Sequence, residues 1–219
     1  MCKLIFVEGI MGSGKSTTAK FVAEELERRG TPVRLVGENA KPHPVQMADP
    51  EKFASIGAWM TERLGKWQVL VDSILQSGEV FVLDGQLFHE SVDSLFYFDV
   101  PEGDIVNFMT RTMSALEKVK PALIYFYQHD VRASLRKTCD ERAEWWENWQ
   151  IDWKVHNRPY GQKRGLKGFD GYVQLYTDYR GVTDRLFDGL DIAKLGIENG
   201  TGDWDLYKSD ILKFFRKIL

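Results

Sequence analysis

The feature that most constrains the fold is a glycine-rich segment between a short apolar run and an amphipathic stretch. Residues 9–16 read GIMGSGKS and match the pattern G-x-x-x-x-G-K-[ST] at each fixed position. Residues 4–7, LIFV, directly precede it and predict a short buried strand. After the segment, apolar residues recur at helical spacing until Gly30, which predicts a helix that begins at the loop. A strand, a glycine loop and a helix in this order predict a phosphate-binding loop.

The residue types of this loop suit the binding of nucleotide phosphates. Glycines let backbone N–H groups approach the phosphates closely, and the N-terminus of the helix adds partial positive charge. Lys15 is expected to reach the β- and γ-phosphates of ATP, and the Ser16 hydroxyl to ligate Mg²⁺. A flexible glycine-rich turn is the alternative, but it would not need a lysine and a serine at these offsets. The predicted nucleotide-binding residues are Gly9, Gly12, Ser13, Gly14, Lys15, Ser16 and Thr17.

Size and composition narrow the class of protein. The 219 residues are expected to form a single domain, because they contain no Pro/Gly/Ser-rich linker or block of charge. Cys2 and Cys139 are too few for a disulfide framework, which predicts a reducing, cytoplasmic location. The N-terminal apolar run is too short for a signal peptide, and no run approaches the length of a transmembrane helix. With a net charge of −3, we expect neither nucleic acid nor membrane as a partner, and a homodimer is an open alternative to a monomer.

Short apolar runs predict the strands of a parallel sheet. Their apolarity is continuous rather than alternating, which is typical of strands buried on both faces. Helical stretches lie between them, including residues 50–76 and 104–119, and a last helix closes the chain over roughly residues 204–219. The predicted fold is α/β, a three-layer fold whose five-stranded parallel sheet is flanked by helices. The predicted strands are residues 4–7, 33–36, 80–83, 123–127 and 192–197.

Two carboxylates come directly after predicted strands. Glu38 follows the second strand and Asp84 the third. Because ligands bind at the carboxyl ends of the strands in such sheets, both side chains are expected beside the phosphate-binding loop. There each could bind Mg²⁺, orient a water ligand or accept a proton from an attacking hydroxyl, so both are predicted catalytic residues and Asp84 joins Ser16 as a predicted metal ligand. A helix cap or a surface ion pair is the structural alternative.

Positive charge is concentrated in residues 130–168, which carry nine Lys/Arg against six Asp/Glu. Arg132 and Arg136 lie at i, i+4, hence on one helix face, and Arg142 follows. Arginine offers a rigid fork of donors for the charge of a phosphoryl group in transit, so Arg132 and Arg136 are predicted catalytic residues. Ion pairing with acidic neighbours on a solvated helix is the alternative. We expect residues 130–168 to form a mobile lid over the substrates.

Tryptophans and histidines carry weaker signals. The four tryptophans of residues 145–153 recur at spacings of three and four along a helix. They are expected to pack the lid onto the body, with a stacking platform for a base as the alternative.

The four histidines lack metal-ligand spacing and are expected to be structural. His43 and His89 are the exceptions to consider, because they follow strand ends.

Taken together, these motifs resemble those of the nucleoside and nucleotide kinase branch of the P-loop proteins. The resemblance rests on the loop at residues 9–16, on Asp84 after the third strand, and on Arg132 and Arg136 after the fourth. Thymidylate kinases and deoxynucleoside kinases are the nearest named groups. The resemblance implies a five-stranded parallel core, ATP with Mg²⁺, and an arginine-bearing lid. Residues 38–45 and Glu144-Trp145-Trp146 also look like a group of bacterial P-loop proteins without an assigned substrate.

This chain departs from both named groups after the third strand. Thymidylate kinases place Asp-Arg-Tyr there and deoxynucleoside kinases place Glu-Arg-Ser, whereas this chain has Asp84-Gly85-Gln86 and lacks that arginine. Recognition of a phosphate on the acceptor is therefore an open question at this position.

The leading functional prediction is a kinase that transfers the γ-phosphoryl group of ATP to a small-molecule acceptor. A nucleoside or nucleotide is the first acceptor class, and an antibiotic-like alcohol or other metabolite is the second. Glu38 or Asp84 would orient or deprotonate the acceptor. A GTPase-type switch is disfavoured because the Asn-Lys-x-Asp motif is absent and Asp84-Gly85 lacks the Asp-x-x-Gly spacing. A sulfotransferase remains open, although the full loop motif favours a triphosphate.

Overall fold

Strand β1 lies at the centre of a parallel sheet in the computed structural model, which describes residues 1–218. The strands of this part of the chain are β1 (Leu4–Gly9), β2 (Val33–Val36), β3 (Val80–Asp84), β4 (Pro121–Tyr127) and β5 (Ala193–Glu198). They are ordered β2-β3-β1-β4-β5, and each neighbouring pair is parallel. The five predicted strands and the parallel sheet are thus confirmed.

Helices cover both faces of the sheet. Within residues 1–218 they are α1 (Lys15–Arg28), α2 (Ile56–Ser77), α3 (Asp93–Tyr97), α4 (Glu102–Leu116), α5 (Val131–Asp140), α6 (Glu144–Ile151), α7 (Pro159–Lys163), α8 (Gly168–Gly189) and α9 (Trp204–Ile218). Leu4 and Phe6 of β1 belong to a core cluster shared with α2, α4 and α8. Ile5 and Val7 belong to a second cluster shared with α1 and α9. Alternate side chains of β1 therefore enter two separate cores, which explains why residues 4–7 are apolar without interruption, whereas the edge strands β2 and β5 are partly exposed and carry Arg34 and Lys194.

The helix boundaries differ from the predicted ones where the chain supplies local caps. Residues 50–76 were predicted as one helix, but Pro50–Lys52 forms a separate 3₁₀ turn and α2 begins at Ile56. Ser55 is the reason, because its side chain accepts a hydrogen bond from the N–H of Ala58 at 3.1 Å and caps α2. The predicted end is confirmed, since Gly78 caps α2 in the left-handed conformation.

Residues 130–168 form a helical insert between β4 and α8. It contains α5, α6, a π-helical turn (Asp152–His156) and α7. Ion pairs fasten its second half to the body: Arg158 contacts Glu51 at 3.2 Å, and Arg164 contacts Asp99 at 2.7 Å. The helical insert is observed, whereas its movement as a lid remains a prediction. Among the helices of residues 1–218, none is both long enough and apolar enough to cross a membrane.

Candidate active site

The phosphate-binding loop joins β1 to α1. Gly9 is the last residue of β1, and α1 begins at Lys15 with Gly14 as its N-cap in the left-handed conformation (φ 86°). Gly12 is also left-handed (φ +77°), and a Cβ built on it would lie 2.1 Å from Oγ1 of Thr138 on α5. Only glycine fits there, because any side chain would be strained and would clash. The missing side chain lets the loop contact the first helix of the lid.

A cavity of about 640 Å³ opens against this loop, beyond the carboxyl ends of the strands. One wall consists of the loop and the first turn of α1. The second wall consists of residues that follow β2 and β3, and the third consists of α6 and the turn after it. This position agrees with the general rule that parallel α/β sheets bind ligands at the carboxyl ends of their strands.

Several predicted site residues line this cavity together. They are Gly12, Gly14, Lys15, Ser16, Thr17 and Glu38. Lys15 is almost buried, and its Nζ donates a hydrogen bond to the backbone oxygen of Ile10 at 3.2 Å. Gly9 and Ser13 belong to the loop but do not line the cavity, and the buried Ser13 hydroxyl has no hydrogen-bond partner among residues 1–218.

Asp84 ends β3 beside Val7 of β1 and does not line the cavity. Its side chain is buried, and its Oδ1 has no hydrogen-bond partner in the described part of the chain, residues 1–218. A buried polar atom without a partner is costly, so the site favours a cation or water that would complete it. Carboxylate and hydroxyl oxygens suit Mg²⁺, so Asp84 and Ser16 fit the predicted ion. Their role as its ligands remains a prediction.

Glu38 lies in the cavity next to His89, one of the two histidines that the sequence singled out as exceptions to a structural role. The two ring nitrogens of His89 face two carboxylates: Nε2 is 3.4 Å from Oε1 of Glu38, and Nδ1 is 3.3 Å from Oδ2 of Asp93. Burial lowers the pKa of His89, but Asp93 and Glu38 outweigh this effect and raise it to about 9. The contact with His89 in turn lowers the pKa of Glu38 to about 2. At neutral pH the cluster therefore holds an imidazolium between ionised carboxylates.

Glu8, which sequence analysis did not assign to the site, fixes the segment that carries His89. Its side chain is fully buried. Its Oε1 accepts hydrogen bonds from the N–H groups of Gln86 and Leu87 at 2.8 and 2.7 Å, and its Oε2 accepts one from the N–H of His89 at 2.9 Å. Burial raises the pKa of Glu8, while these N–H groups lower it. One carboxylate thus orders the turn after β3.

Arg132 and Arg136 are not brought to the cavity. Both lie on α5, with their guanidinium carbons 5.7 and 3.7 Å from the ring centre of Phe169. Arg132 pairs with Asp170 at 2.6 Å, and Arg136 pairs with Glu147 at 2.8 Å. Ion pairing was the alternative considered for this helix, but with acidic neighbours in the sequence, and of these Asp140 contacts Arg136 at 3.7 Å. Their catalytic role remains a prediction that requires these contacts to open.

Two other cations of the lid, Arg142 and Lys154, do line the cavity. The guanidinium of Arg142 lies 5.4 Å from the ring centre of Trp146. Lys154 is almost fully buried, and its Nζ donates hydrogen bonds to the hydroxyls of Tyr97 and Tyr176. Burial lowers the pKa of Lys154 to about 8. These two residues supply positive charge on the wall opposite the phosphate-binding loop.

Tryptophans complete the lid side of the cavity. Trp146, Trp149 and Trp153 all line it. The rings of Trp149 and Trp153 are stacked, with centres 5.8 Å apart and planes inclined by 4°. Trp146 packs against the hydrophobic core as expected, whereas Trp145 and Trp149 are largely exposed, and helical spacing could not show that three of the four line a cavity.

Glu38, His89 and Glu90 also place three candidate metal-ligand atoms within 4.8 Å of one another. A histidine ligates a metal through a neutral ring nitrogen. Here both ring nitrogens of His89 contact carboxylates, and its pKa of about 9 keeps the ring protonated at neutral pH. We therefore assign this cluster as an ion-pair network.

The sheet order, the loop and the flanking helices define the P-loop NTPase fold, as predicted from the sequence. A solved structure of thymidylate kinase from Candida albicans superimposes with a TM-score of 0.55 over 99% of this chain and 92% of that chain. The two sequences are 14% identical, so this similarity shows a shared fold.

Sequence comparison adds a short match. The chain is 34% identical over 87 residues to a UPF0200 protein of Aeropyrum pernix, an alignment that covers 37% of this chain and 45% of the relative. The chain thus matches less than half the length of that relative. No protein-family model matches the chain. The resemblance to bacterial P-loop proteins remains a prediction.

Proposed function

We propose that the protein is an ATP-dependent phosphotransferase that moves the γ-phosphoryl group of ATP to a small-molecule acceptor. Nucleosides and nucleotides are the first acceptor class to test. The observation that carries the proposal is a single cavity with Lys15 and Ser16 on one wall and the polar cluster around Glu38 on another. Nucleotide binding alone would not require this second polar wall. A reaction in which a phosphate donor and an acceptor meet in one cavity does require such a wall.

Each residue has a role that follows from its position. Lys15 and the backbone N–H groups of the loop hold the phosphates of ATP, and the hydroxyl of Ser16 with the carboxylate of Asp84 would hold Mg²⁺. Bound there, Mg²⁺ would neutralise charge on the phosphates. Glu38 orients the acceptor hydroxyl. Phosphoryl transfer proceeds through a loose transition state, so positioning and charge neutralisation account for most of the rate.

The lid contributes charge and the exclusion of water. Arg142 already lies in the cavity and is placed to meet the negative charge of the transferring group. Arg132 and Arg136 are further candidates, provided that they leave Asp170 and Glu147. The tryptophans of α6 and the following turn present apolar surface that keeps water from competing with the acceptor.

A phosphoryl-transfer screen tests the proposal. The wild-type protein is incubated with Mg²⁺ and ATP labelled in the γ-phosphate, together with nucleosides, nucleoside monophosphates or hydroxyl-bearing antibiotics. We expect label in a new phosphorylated product with at least one class. Binding of ATP without transfer to any of them would contradict the proposal and favour a nucleotide switch. Failure to bind ATP would contradict the proposal as well and would favour a sulfotransferase.

A further inference from the structure

His89 is held in the cavity by its backbone as well as by its side chain. The residue has an extended conformation (φ −68°, ψ 137°), and the next residue, Glu90, has a left-handed one (φ 75°). This kink follows the segment fixed by Glu8, whose Oε2 accepts the N–H of His89 at 2.9 Å. A non-glycine residue in the left-handed region is uncommon and costs free energy. Here the kink turns the imidazole toward the carboxylates of the cavity.

The imidazole has two nearer acidic partners on different elements, and a third carboxylate, that of Glu90, lies 3.9 Å from its Nε2. Asp93, on the first turn of α3, faces Nδ1, while Glu38, on the segment after β2, faces Nε2. A neutral imidazole carries only one N–H, so both contacts are satisfied at once only by the protonated ring. Asp93 is buried, whereas about a third of the Glu38 side chain is exposed. The ring therefore links a fixed carboxylate to one that reaches the cavity.

We infer that His89 is a positioning residue, clamped by Asp93, that holds Glu38 against an uncharged hydroxyl of the acceptor. This inference rests on the proposed function and narrows its acceptor from any nucleoside or nucleotide to one that reacts through an alcohol. His89 also lies next to Gly85, which stands where the two kinase groups have arginine: a Cβ built on Gly85 would lie 3.2 Å from the Cβ of His89.

The charge around His89 argues against a phosphate as the attacking group. Glu38 and Asp93 have lowered pKa values and are ionised at neutral pH. Burial raises the pKa of Glu90, and the neighbouring Asp93 raises it further. The direction of this shift shows that additional negative charge is disfavoured beside Asp93. An incoming phosphate dianion would add two charges to this wall, whereas a hydroxyl would add none.

Two of the nearby cations, Lys15 and Lys154, are already engaged by other groups. Lys15 belongs to the donor phosphates, and Lys154 is directed into the hydroxyls of Tyr97 and Tyr176. The pKa of Lys154 is lowered to about 8 by burial, so its charge is weaker than that of an exposed lysine near pH 8. The charged groups that act on His89 and its carboxylate partners are Glu8, Glu38, Glu90, Asp93, Lys15, Lys154 and Arg63.

The chemical step balances without any other reactant. The hydroxyl oxygen of the acceptor attacks the γ-phosphorus, and the bond from this phosphorus to the β–γ bridging oxygen breaks. ADP leaves with that electron pair. The hydroxyl proton passes to the Glu38 carboxylate late in the step, when the oxygen has become acidic, and is then released to water. The products are a phosphate monoester, ADP and a proton. Because the transition state is loose, a carboxylate with a low pKa can serve when it is well placed.

The first test is the choice of acceptor. With the wild-type protein, phosphorus NMR of the products distinguishes a phosphate monoester from a diphosphate. We expect kcat/KM for nucleoside hydroxyls to exceed that for diphosphate formation on nucleoside monophosphates by about 100-fold. Equal or faster diphosphate formation would overturn this inference and leave the proposed phosphotransferase in place. Transfer to neither class would instead count against the proposed function.

The second test is a double-mutant cycle with Glu38→Gln and His89→Gln. Each single variant should lower kcat for the acceptor by roughly 100-fold and change the KM for ATP by less than about twofold. The double variant should be no slower than Glu38→Gln alone, because His89 acts through Glu38. His156→Gln is the matched control: His156 also faces an aspartate four residues away, Asp152 at 2.8 Å, but lies outside the cavity.

The pH profile distinguishes positioning from a merely structural role. In the wild-type protein kcat should fall above pH about 9, when His89 loses its proton. The His89→Gln variant should lack this fall but retain any effect of Lys154, which titrates at about 8. The inference would be overturned if the losses of kcat in the two single variants added up in the double variant. It would also be overturned if the pH profiles of kcat for the wild-type protein and the His89→Gln variant were identical above pH 8. Glu38 is partly exposed, so Glu38→Gln is expected to fold even if His89→Gln folds poorly. Its kcat for the acceptor and its KM for ATP then still test the inference.

Discussion

The contact between the phosphate-binding loop and the lid can be tested by replacing Gly12 with alanine. Gly12 has a φ of +77°, and an added Cβ would meet Oγ1 of Thr138 at 2.1 Å and its Cγ2 at 3.0 Å. An L-residue in the left-handed region costs roughly 1–2 kcal/mol. The Thr138 hydroxyl donates a hydrogen bond to the backbone oxygen of Ser134 at 2.9 Å, so moving it aside costs about 1 kcal/mol more. We expect Gly12→Ala to lower the free energy of unfolding by about 2–3 kcal/mol.

Urea unfolding followed by circular dichroism measures this loss, and a second substitution separates its two causes. Thr138→Ala removes Oγ1 and Cγ2 and leaves only its Cβ, 3.1 Å from the new methyl group. In the Thr138→Ala background, Gly12→Ala should therefore cost about 1 kcal/mol less. Gly65→Ala is the control, because Gly65 lies inside α2 with no atom within 4 Å of its added Cβ. That change should stabilise the protein by about 0.5–1 kcal/mol.

The reasoning would be refuted by a Gly12→Ala variant whose free energy of unfolding lies within about 0.5 kcal/mol of the wild-type value. It would also be refuted if Thr138→Ala left the cost of Gly12→Ala unchanged. In that case the loop would not meet α5 as the structure places it.

Three further predictions follow from the site. Asp84→Asn should raise the Mg²⁺ concentration for half-maximal phosphoryl transfer by about 10-fold or more, because Asp84 fits the role of a ligand; an unchanged Mg²⁺ titration would contradict this. Arg142→Ala should lower kcat by roughly 100-fold with little change in ATP affinity. This loss should exceed that of Arg132→Ala or Arg136→Ala, since Arg142 alone among these three arginines lines the cavity. If an opened lid uses Arg132 and Arg136 instead, rapid kinetics would show the larger loss of kcat in those two variants. The pKa of His89 is raised from 6.5 to about 9, so its stabilising contribution is complete below pH 6.5 and is lost as the pH rises through 9. The difference in unfolding free energy between the wild-type protein and His89→Gln should shrink over that interval, and a constant difference would argue against a charged His89.

The fold followed from the sequence because its three central strands, β1, β3 and β4, are buried on both faces. Residues 4–7 and 80–83 have no polar residue to place toward solvent, and such runs between helical stretches permit few arrangements other than a parallel sheet. The P-loop pattern then predicted which strand end would bind phosphate. The start of α2 was harder to predict, because the cap at Ser55 overrides the helical spacing that begins at Phe53.

The site was only partly predictable, because some of its residues depend on long-range packing. Glu38 could be found because it directly follows a strand. His89 and Asp93 follow β3 by several residues and reach the cavity through the kink at Glu90, which no local propensity indicates. A histidine followed four residues later by an aspartate, just beyond a strand end, was the available signal.

The lid arginines show the limit of helical periodicity. The spacing of Arg132 and Arg136 correctly implied one shared face of α5. It could not reveal that Glu147 and Asp170, distant in the sequence, lie opposite that face. Arg142 reaches the cavity because the chain turns between α5 and α6. Helical spacing does not predict which way a side chain points in such a turn.

Phosphoryl transfer by a Lys15→Ala variant tests the central claim most directly. Lys15 lines the cavity, while Lys20 is exposed on the same helix and offers a matched Lys20→Ala control. With γ-labelled ATP and a reactive acceptor, transfer by Lys15→Ala should fall by about 1,000-fold or more, while Lys20→Ala and the circular dichroism of both variants stay close to wild type. Undiminished transfer by a folded Lys15→Ala variant would contradict the assignment of this cavity as the phosphoryl-transfer site.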